Sequence, residues 1–284
     1  MRFTTLISAT NLAQHLAEPD WIVLDCRHDL ADLGAGRHAY TQGHIPGAQF
    51  VDLEYDLSAD KFGSDGQFRG RHPLPERDDF IATLRRWGVN DSSQVVAYDA
   101  HAGAFAARLW WMLRWVGHDA VAVLDGGLPA WQAQGLGLST SESVAAPGKL
   151  NARPTLTAHV TVDEVLANLA TGPHTVLDAR APDRFRGENE TIDPVAGHIP
   201  GAKNRFFKDN LQADGRFKPA AQLRDEFSAL VPDPTQAIMQ CGSGVTACHN
   251  LLALDIAGLH GAALYPGSWS EWCADPARPV ATGN

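Results

Sequence analysis

Short apolar runs recur along the chain, separated by longer stretches in which apolar residues return every three or four positions. Trp21-Ile22-Val23-Leu24, Val95-Val96-Ala97-Tyr98, Val121-Ala122-Val123-Leu124 and Ala237-Ile238-Met239 read as buried strands. Helical periodicity fills the gaps. Thr161 and Glu164 form a capping box, and Val162, Val165, Leu166 and Leu169 then share one helical face. Ser8, Ala9, Leu12, Ala13 and Leu16 repeat that pattern near the start, and Ala104–Val116 and Val245–Ile256 read as further helices. Strands that alternate with helices pair in parallel, so the expected fold is α/β, with a parallel sheet covered by helices on both faces.

The pattern occurs twice. Ile22-Val23-Leu24-Asp25-Cys26-Arg27 returns 153 positions later as Thr175-Val176-Leu177-Asp178-Ala179-Arg180. Gly43-His44-Ile45-Pro46-Gly47-Ala48 returns as Gly197-His198-Ile199-Pro200-Gly201-Ala202. Leu124-Asp125-Gly126-Gly127 through Trp131 parallels Tyr265-Pro266-Gly267-Ser268 through Trp272. A tandem duplication accounts for the conserved order and spacing. It predicts an N-terminal domain over residues 1–138, a linker over 139–154 rich in Ser, Ala, Gly and Pro, and a C-terminal domain over 155–284.

Composition narrows the class of function. At 284 residues, 44% apolar and 20% charged, the chain has material for two well-filled cores. Its net charge of −10 and the absence of a basic stripe argue against nucleic acid as a partner. No run has the length of a membrane span, and the first residues lack a secretory pattern, which predicts a cytoplasmic protein. Four cysteines without paired spacing suit a reducing compartment and form neither a disulfide framework nor a zinc site. Twelve histidines include no metal-ligand pair, so no metal is expected.

Candidate chemistry gathers at one cysteine. Cys241 opens Cys241-Gly242-Ser243-Gly244-Val245-Thr246, between a strand and a helix. Glycines let the backbone curl round the sulfur, and a helix start directs N–H groups and the positive end of its dipole at the same point. Such a cradle favours a thiolate, the nucleophilic form. In the first repeat Asp99 stands where Cys241 does, followed by Ala100-His101-Ala102-Gly103, so that copy lacks the nucleophile. Cys26, Cys248 and Cys273 have no comparable setting and are expected to be packing residues. Features common to both copies, including Asp25-x-Arg27, Asp178-x-Arg180, His44 and His198, are expected to serve folding.

The duplicated Asp-x-Arg and Gly-His-Ile-Pro-Gly elements, the Cys-Gly-Ser-Gly-Val-Thr loop and Pro266-Gly267-Ser268-Trp269 together resemble the tandem-domain rhodanese family of sulfurtransferases over essentially the whole chain. The resemblance implies two rhodanese-like domains, the first inactive. Within the family, the loop is similar to that of the 3-mercaptopyruvate sulfurtransferases. Thiosulfate-preferring members typically carry Arg and Lys where this chain has Gly242 and Ser243. The implied reaction moves sulfur from 3-mercaptopyruvate onto Cys241 as a persulfide, releases pyruvate, and passes the sulfur to cyanide or a thiol such as thioredoxin or a small thiol.

The resemblance also implies site roles. Backbone N–H groups of Gly242, Gly244, Val245 and Thr246 would hold the sulfur. Arg184, in Asp183-Arg184-Phe185-Arg186-Gly187, would grip the substrate carboxylate. A second arginine common in the mercaptopyruvate enzymes is replaced here by Asp193, with Arg186 as the substitute. A Ser-His-acid relay would fall on Ser243, His72 and Glu54. Three other readings stand beside this one. A thiosulfate sulfurtransferase keeps the nucleophile and changes the donor, and a persulfide carrier keeps the cysteine without turnover. A phosphatase would need an arginine six residues after Cys241, where the chain has Ala247.

Overall fold

The apolar runs form the inner strands of two five-stranded sheets, parallel throughout, in a computed structural model that describes residues 2–284. The first sheet belongs to β1 (Leu6–Ile7), α1 (Ala9–His15), β2 (Trp21–Asp25), α2 (Ala35–Gln42), β3 (Gln49–Phe50), α3 (Arg77–Arg86), β4 (Gln94–Tyr98), α4 (Ala106–Trp115), β5 (Val121–Leu124) and α5 (Gly127–Ala133). Its strand order is β1-β5-β4-β2-β3. The second repeats the plan with β6 (Ala158–His159), α6 (Val162–Thr171), β7 (Thr175–Asp178), α7 (Pro182–Arg186), β8 (Lys203–Asn204), α8 (Ala220–Leu230), β9 (Ala237–Gln240), α9 (Ala247–Ile256), β10 (Ala263–Leu264) and α10 (Ser268–Trp272). Its order, β6-β10-β9-β7-β8, is the same.

The chain forms two compact units. One holds the residues up to Ser58, Pro75–Leu156 and Ala213–Phe217; the other holds Ala59–Leu74, Thr157–Gln212 and Lys218–Asn284. Segment 59–74 of the first repeat therefore packs with the unit that carries Cys241. Segment 139–154, expected as a linker, lies against the first unit. His44 and Ser139 exchange backbone hydrogen bonds, Gly148 N–H donates to the Arg85 carbonyl, and Leu150 is buried.

Every residue of β4, β5 and β9 is buried, which requires cover on both faces of each sheet. Ile7, Leu12, Val23, Val96 and Trp131 contribute to one core; Val165, Val176, Ile238, Trp269 and Trp272 contribute to the other. The capping box at Thr161 forms, and the Ser8 side chain accepts from the Asn11 N–H. Leu166 departs from expectation and is exposed, because the stripe that faces the core is Val162, Val165 and Leu169, with Leu166 beyond its edge. The helix expected from Val245 begins at Ala247, which leaves Val245 and Thr246 in the loop.

The duplicated motifs are structural. Arg27 pairs with Asp25 and donates onward to the Gly43 carbonyl, and Arg180 does the same with Asp178 and Gly197. Each buried ion pair thus anchors the Gly-His-Ile-Pro-Gly turn behind its strand. His44 stacks on Tyr40 and His198 on Phe185, each ring nitrogen meeting a backbone carbonyl.

Candidate active site

In each sheet the chain moves outward from the second strand of its repeat to the third, then returns to the other side for the fourth. The reversal falls between β2 and β4 in one unit and between β7 and β9 in the other. Open parallel sheets bind ligands beyond the carboxyl ends of strands at such a reversal. Cys241 directly follows β9, and Asp99 directly follows β4.

The first unit displays what this loop is built to hold. One Asp99 carboxylate oxygen accepts the N–H groups of His101 and Gly103, and the other accepts those of Phe105 and Ala106, at 2.8–2.9 Å. Four backbone donors converge on one anion supplied by the chain itself. In this copy the carboxylate occupies the cradle, which explains structurally why an aspartate is accommodated there.

The loop of the second unit is held from behind by the turn that opens α10. Cys241 N–H donates to the Ser268 hydroxyl oxygen at 3.1 Å, and that hydroxyl donates to the Tyr265 carbonyl. The carbonyls of Cys241 and Gly242 accept from the N–H groups of Trp269 and Ser270. Ser268 adopts φ 53°, an uncommon conformation for a residue other than glycine. Gly244 has φ +76°, and a Cβ there would stand 2.3 Å from the Pro266 carbonyl oxygen. The Pro266-Gly267-Ser268-Trp269 element is therefore the bed on which the cysteine loop lies. Cys241 is 2% exposed. Cys248, one helical segment on, donates its thiol to the Gly244 carbonyl at 3.3 Å. Cys26 and Cys273 are buried too, and burial pushes both thiols up.

Segment 59–74 brings His72 to the loop. His72 Nδ1 and Ser243 Oγ lie 2.7 Å apart, with both residues buried. The preceding residue, Arg71, is fixed at its backbone N–H by the Ser270 hydroxyl oxygen. Its guanidinium reaches the loop, with Nη2 2.7 Å from where a Cβ on Gly242 would stand. Both Nη atoms of Arg184 come within 3.8–3.9 Å of the same point. Arg184 makes a bidentate pair with Glu190 at 2.8–3.1 Å and donates to Asp193 Oδ2 at 3.1 Å, while Arg71 binds Asp193 Oδ1.

Burial disfavours ionised Glu190, but hydrogen bonds from Arg184 and from the Asp193 and Ile192 N–H groups outweigh it and hold its carboxyl below the usual range. At Asp193 burial dominates and raises the carboxyl against the pull of Arg71.

The structure thus brings Cys241, Gly242, Ser243, Gly244, Val245, Thr246, His72 and Arg184 into one unit. Arg186 turns elsewhere. It pairs with Glu188 at the surface and lines a cavity of about 250 Å³ with Phe185, Lys203 and Asn204, away from the cysteine loop. Glu54 belongs to the first unit, where its N–H donates to Asp52. Sequence reasoning assigned no role to Arg71, Glu190, Ser268 or Ser270. Adjacency to His72 was the one signal that could have drawn attention to Arg71.

Comparison with known proteins identifies the family. The Rhodanese-like domain family matches residues 8–134 and 161–275. The chain is 50% identical, over the full length of both proteins, to a "Probable 3-mercaptopyruvate sulfurtransferase" of Pseudomonas aeruginosa. It is 41% identical, over 99% of its length and 98% of the relative's, to a "Putative thiosulfate sulfurtransferase SseB" of Mycobacterium tuberculosis. The solved 3-mercaptopyruvate sulfurtransferase of Leishmania major superposes with a TM-score of 0.85 at 31% identity, covering 98% of this chain and 76% of that one. With two matching domains, two parallel sheets of one topology and a cysteine loop in the second, the chain belongs to the rhodanese family of sulfurtransferases in its tandem form.

Proposed function

We propose that the chain transfers sulfur from 3-mercaptopyruvate through a Cys241 persulfide to a thiophilic acceptor, and releases pyruvate. The observation that carries this reading is the pair of guanidinium groups, Arg71 and Arg184, set over Gly242 beside Cys241 in a loop that contains no cation of its own. A guanidinium fork matches a carboxylate, and here it stands one residue from the nucleophile. The Pseudomonas relative's name supports the same donor.

The Cys241 thiolate attacks the donor sulfur. A sulfur–sulfur bond forms as the carbon–sulfur bond breaks, and its electron pair passes into the enolate of pyruvate. The mercapto proton moves through Ser243 and His72 to the enolate carbon, which leaves a Cys241 persulfide anion. An imidazole suits that transfer because it loses and gains a proton near neutrality. The loop N–H groups stabilise the terminal sulfur as the first repeat's loop stabilises Asp99. Cyanide or a thiol acceptor, thioredoxin or a small thiol in a reducing compartment, then takes the outer sulfur and restores the thiolate.

The test is turnover with 3-mercaptopyruvate and cyanide, together with mass analysis after donor alone. The expected result is steady production of thiocyanate and pyruvate, and a mass gain of one sulfur atom that Cys241→Ser abolishes. Turnover by the serine variant would overturn the assignment, and stoichiometric labelling without turnover would favour a carrier. Thiosulfate remains a second reading, because two guanidinium groups can also receive a sulfur oxyanion.

A further inference from the structure

The charges around Gly242 are arranged in two layers. The Arg71 and Arg184 side chains are 21% and 18% exposed, whereas those of Asp193 and Glu190 are each 2% exposed. The cations face outward and their counter-ions are sealed behind them. Glu190 already accepts from Arg184, Arg180 and the N–H groups of Ile192 and Asp193, which makes it the structural anchor. Asp193 is different. Among the described residues it bridges both guanidiniums, one oxygen to each.

Taking the proposed reaction as given, we propose that Asp193 determines donor specificity by setting the net charge of the anion site. With Asp193 ionised, Arg71 and Arg184 are balanced by Asp193 and Glu190, and the site offers the donor hydrogen-bond donors without a net positive charge. A doubly charged donor gives up the hydration of two charges there and a singly charged one of only one, so the neutral site favours the monoanion. A dianion's interaction with any added positive charge is twice that of a monoanion, since Coulomb energy scales with the donor's charge. Neutralising Asp193 without changing its shape therefore favours dianions disproportionately. An n-fold gain for a monoanion corresponds to roughly an n²-fold gain for a dianion.

The experiment compares kcat/KM for 3-mercaptopyruvate, a monoanionic carboxylate, and thiosulfate, a dianion, in the wild-type chain, Asp193→Asn and Arg71→Gln, with melting curves as a fold control. Asp193→Asn is expected to shift the ratio toward thiosulfate by about tenfold, equivalent to about 1.4 kcal/mol. Arg71→Gln is expected to shift it the opposite way, and this variant carries the test if Asp193→Asn does not fold. The shift should shrink as ionic strength rises. Equal changes for both donors in either folded variant would overturn the specificity role and leave the Cys241 reaction untouched. Failure of the wild-type chain to turn over either donor would instead overturn the proposed function.

Discussion

Two glycines in one loop invite the same substitution with opposite consequences. At Gly244 the backbone has φ +76°, and an added Cβ would meet the Pro266 carbonyl oxygen at 2.3 Å and its Cα and carbonyl carbon at 3.0 Å. The left-handed conformation costs a non-glycine residue about 1–2 kcal/mol. Contact with rigid backbone adds an overpacking cost of about 1–3 kcal/mol. Gly244→Ala should therefore lose about 3 kcal/mol, and at roughly 2–4 °C per kcal/mol its melting point should fall by about 6–12 °C. Gly242 carries no such backbone strain, and its Cβ would press on the tip of Arg71, at 2.7 Å, while the tip of Arg184 stays at ordinary contact distance, 3.8–3.9 Å. A flexible side chain can swing away. Gly242→Ala should retain stability, or gain up to about 1 kcal/mol through a less flexible unfolded chain. Arg71 would then be displaced from the donor. The loss of one charge-assisted hydrogen bond, about 1.5–3 kcal/mol, should raise KM roughly ten- to a hundredfold. Differential scanning fluorimetry and steady-state kinetics on both variants decide the matter. Equal melting shifts for the two alanines, or an unchanged KM in Gly242→Ala, would refute the reasoning.

Ser243→Ala should lower kcat for 3-mercaptopyruvate by about a hundredfold through loss of proton relay. Thiosulfate, whose sulfite leaving group needs no proton on carbon, should be little affected, and a matched loss with both donors would contradict the relay. Asp99→Ala leaves four loop N–H groups without their acceptor. It should cost about 3 kcal/mol, measured by urea unfolding, and an unchanged midpoint would mean that the first loop does not depend on its carboxylate. Although burial opposes it, hydrogen bonds from Lys218 and Arg205 bring Glu226 down to about 2. A carboxyl lowered on folding adds stability above its unfolded pKa, and that stability is lost as pH falls toward about 2. Glu226→Gln should accordingly be less stable than wild type at pH 7 and converge with it in acid. A constant difference across that range would show that the loss is steric.

Sequence by itself determined the parts of this protein that are written locally. Alternating strand and helix patterns specified parallel α/β sheets, and self-similarity across the chain specified two of them. The Cys241 loop was legible because a strand, glycines and a helix start are contiguous, and aligning the two repeats placed Asp99 at the matching position, where no thiol stands. Both arose from short-range geometry, in which residue type and spacing suffice.

Tertiary structure decided what depended on residues distant in the chain. Arg71 reaches Gly242 because segment 59–74 folds with the second unit, and no periodicity in the first repeat announces that exchange. Asp193, read as the loss of an arginine, became the bridge between two arginines only once Arg71 stood opposite it. Arg184 and Arg186 are near neighbours in sequence, yet one turns to the loop and the other to a surface pair with Glu188. Side chains two residues apart on a helix point about 200° apart round its axis, so proximity in sequence does not imply a shared site. Charge partners are chosen by burial and distance, and those quantities exist only after the chain has folded.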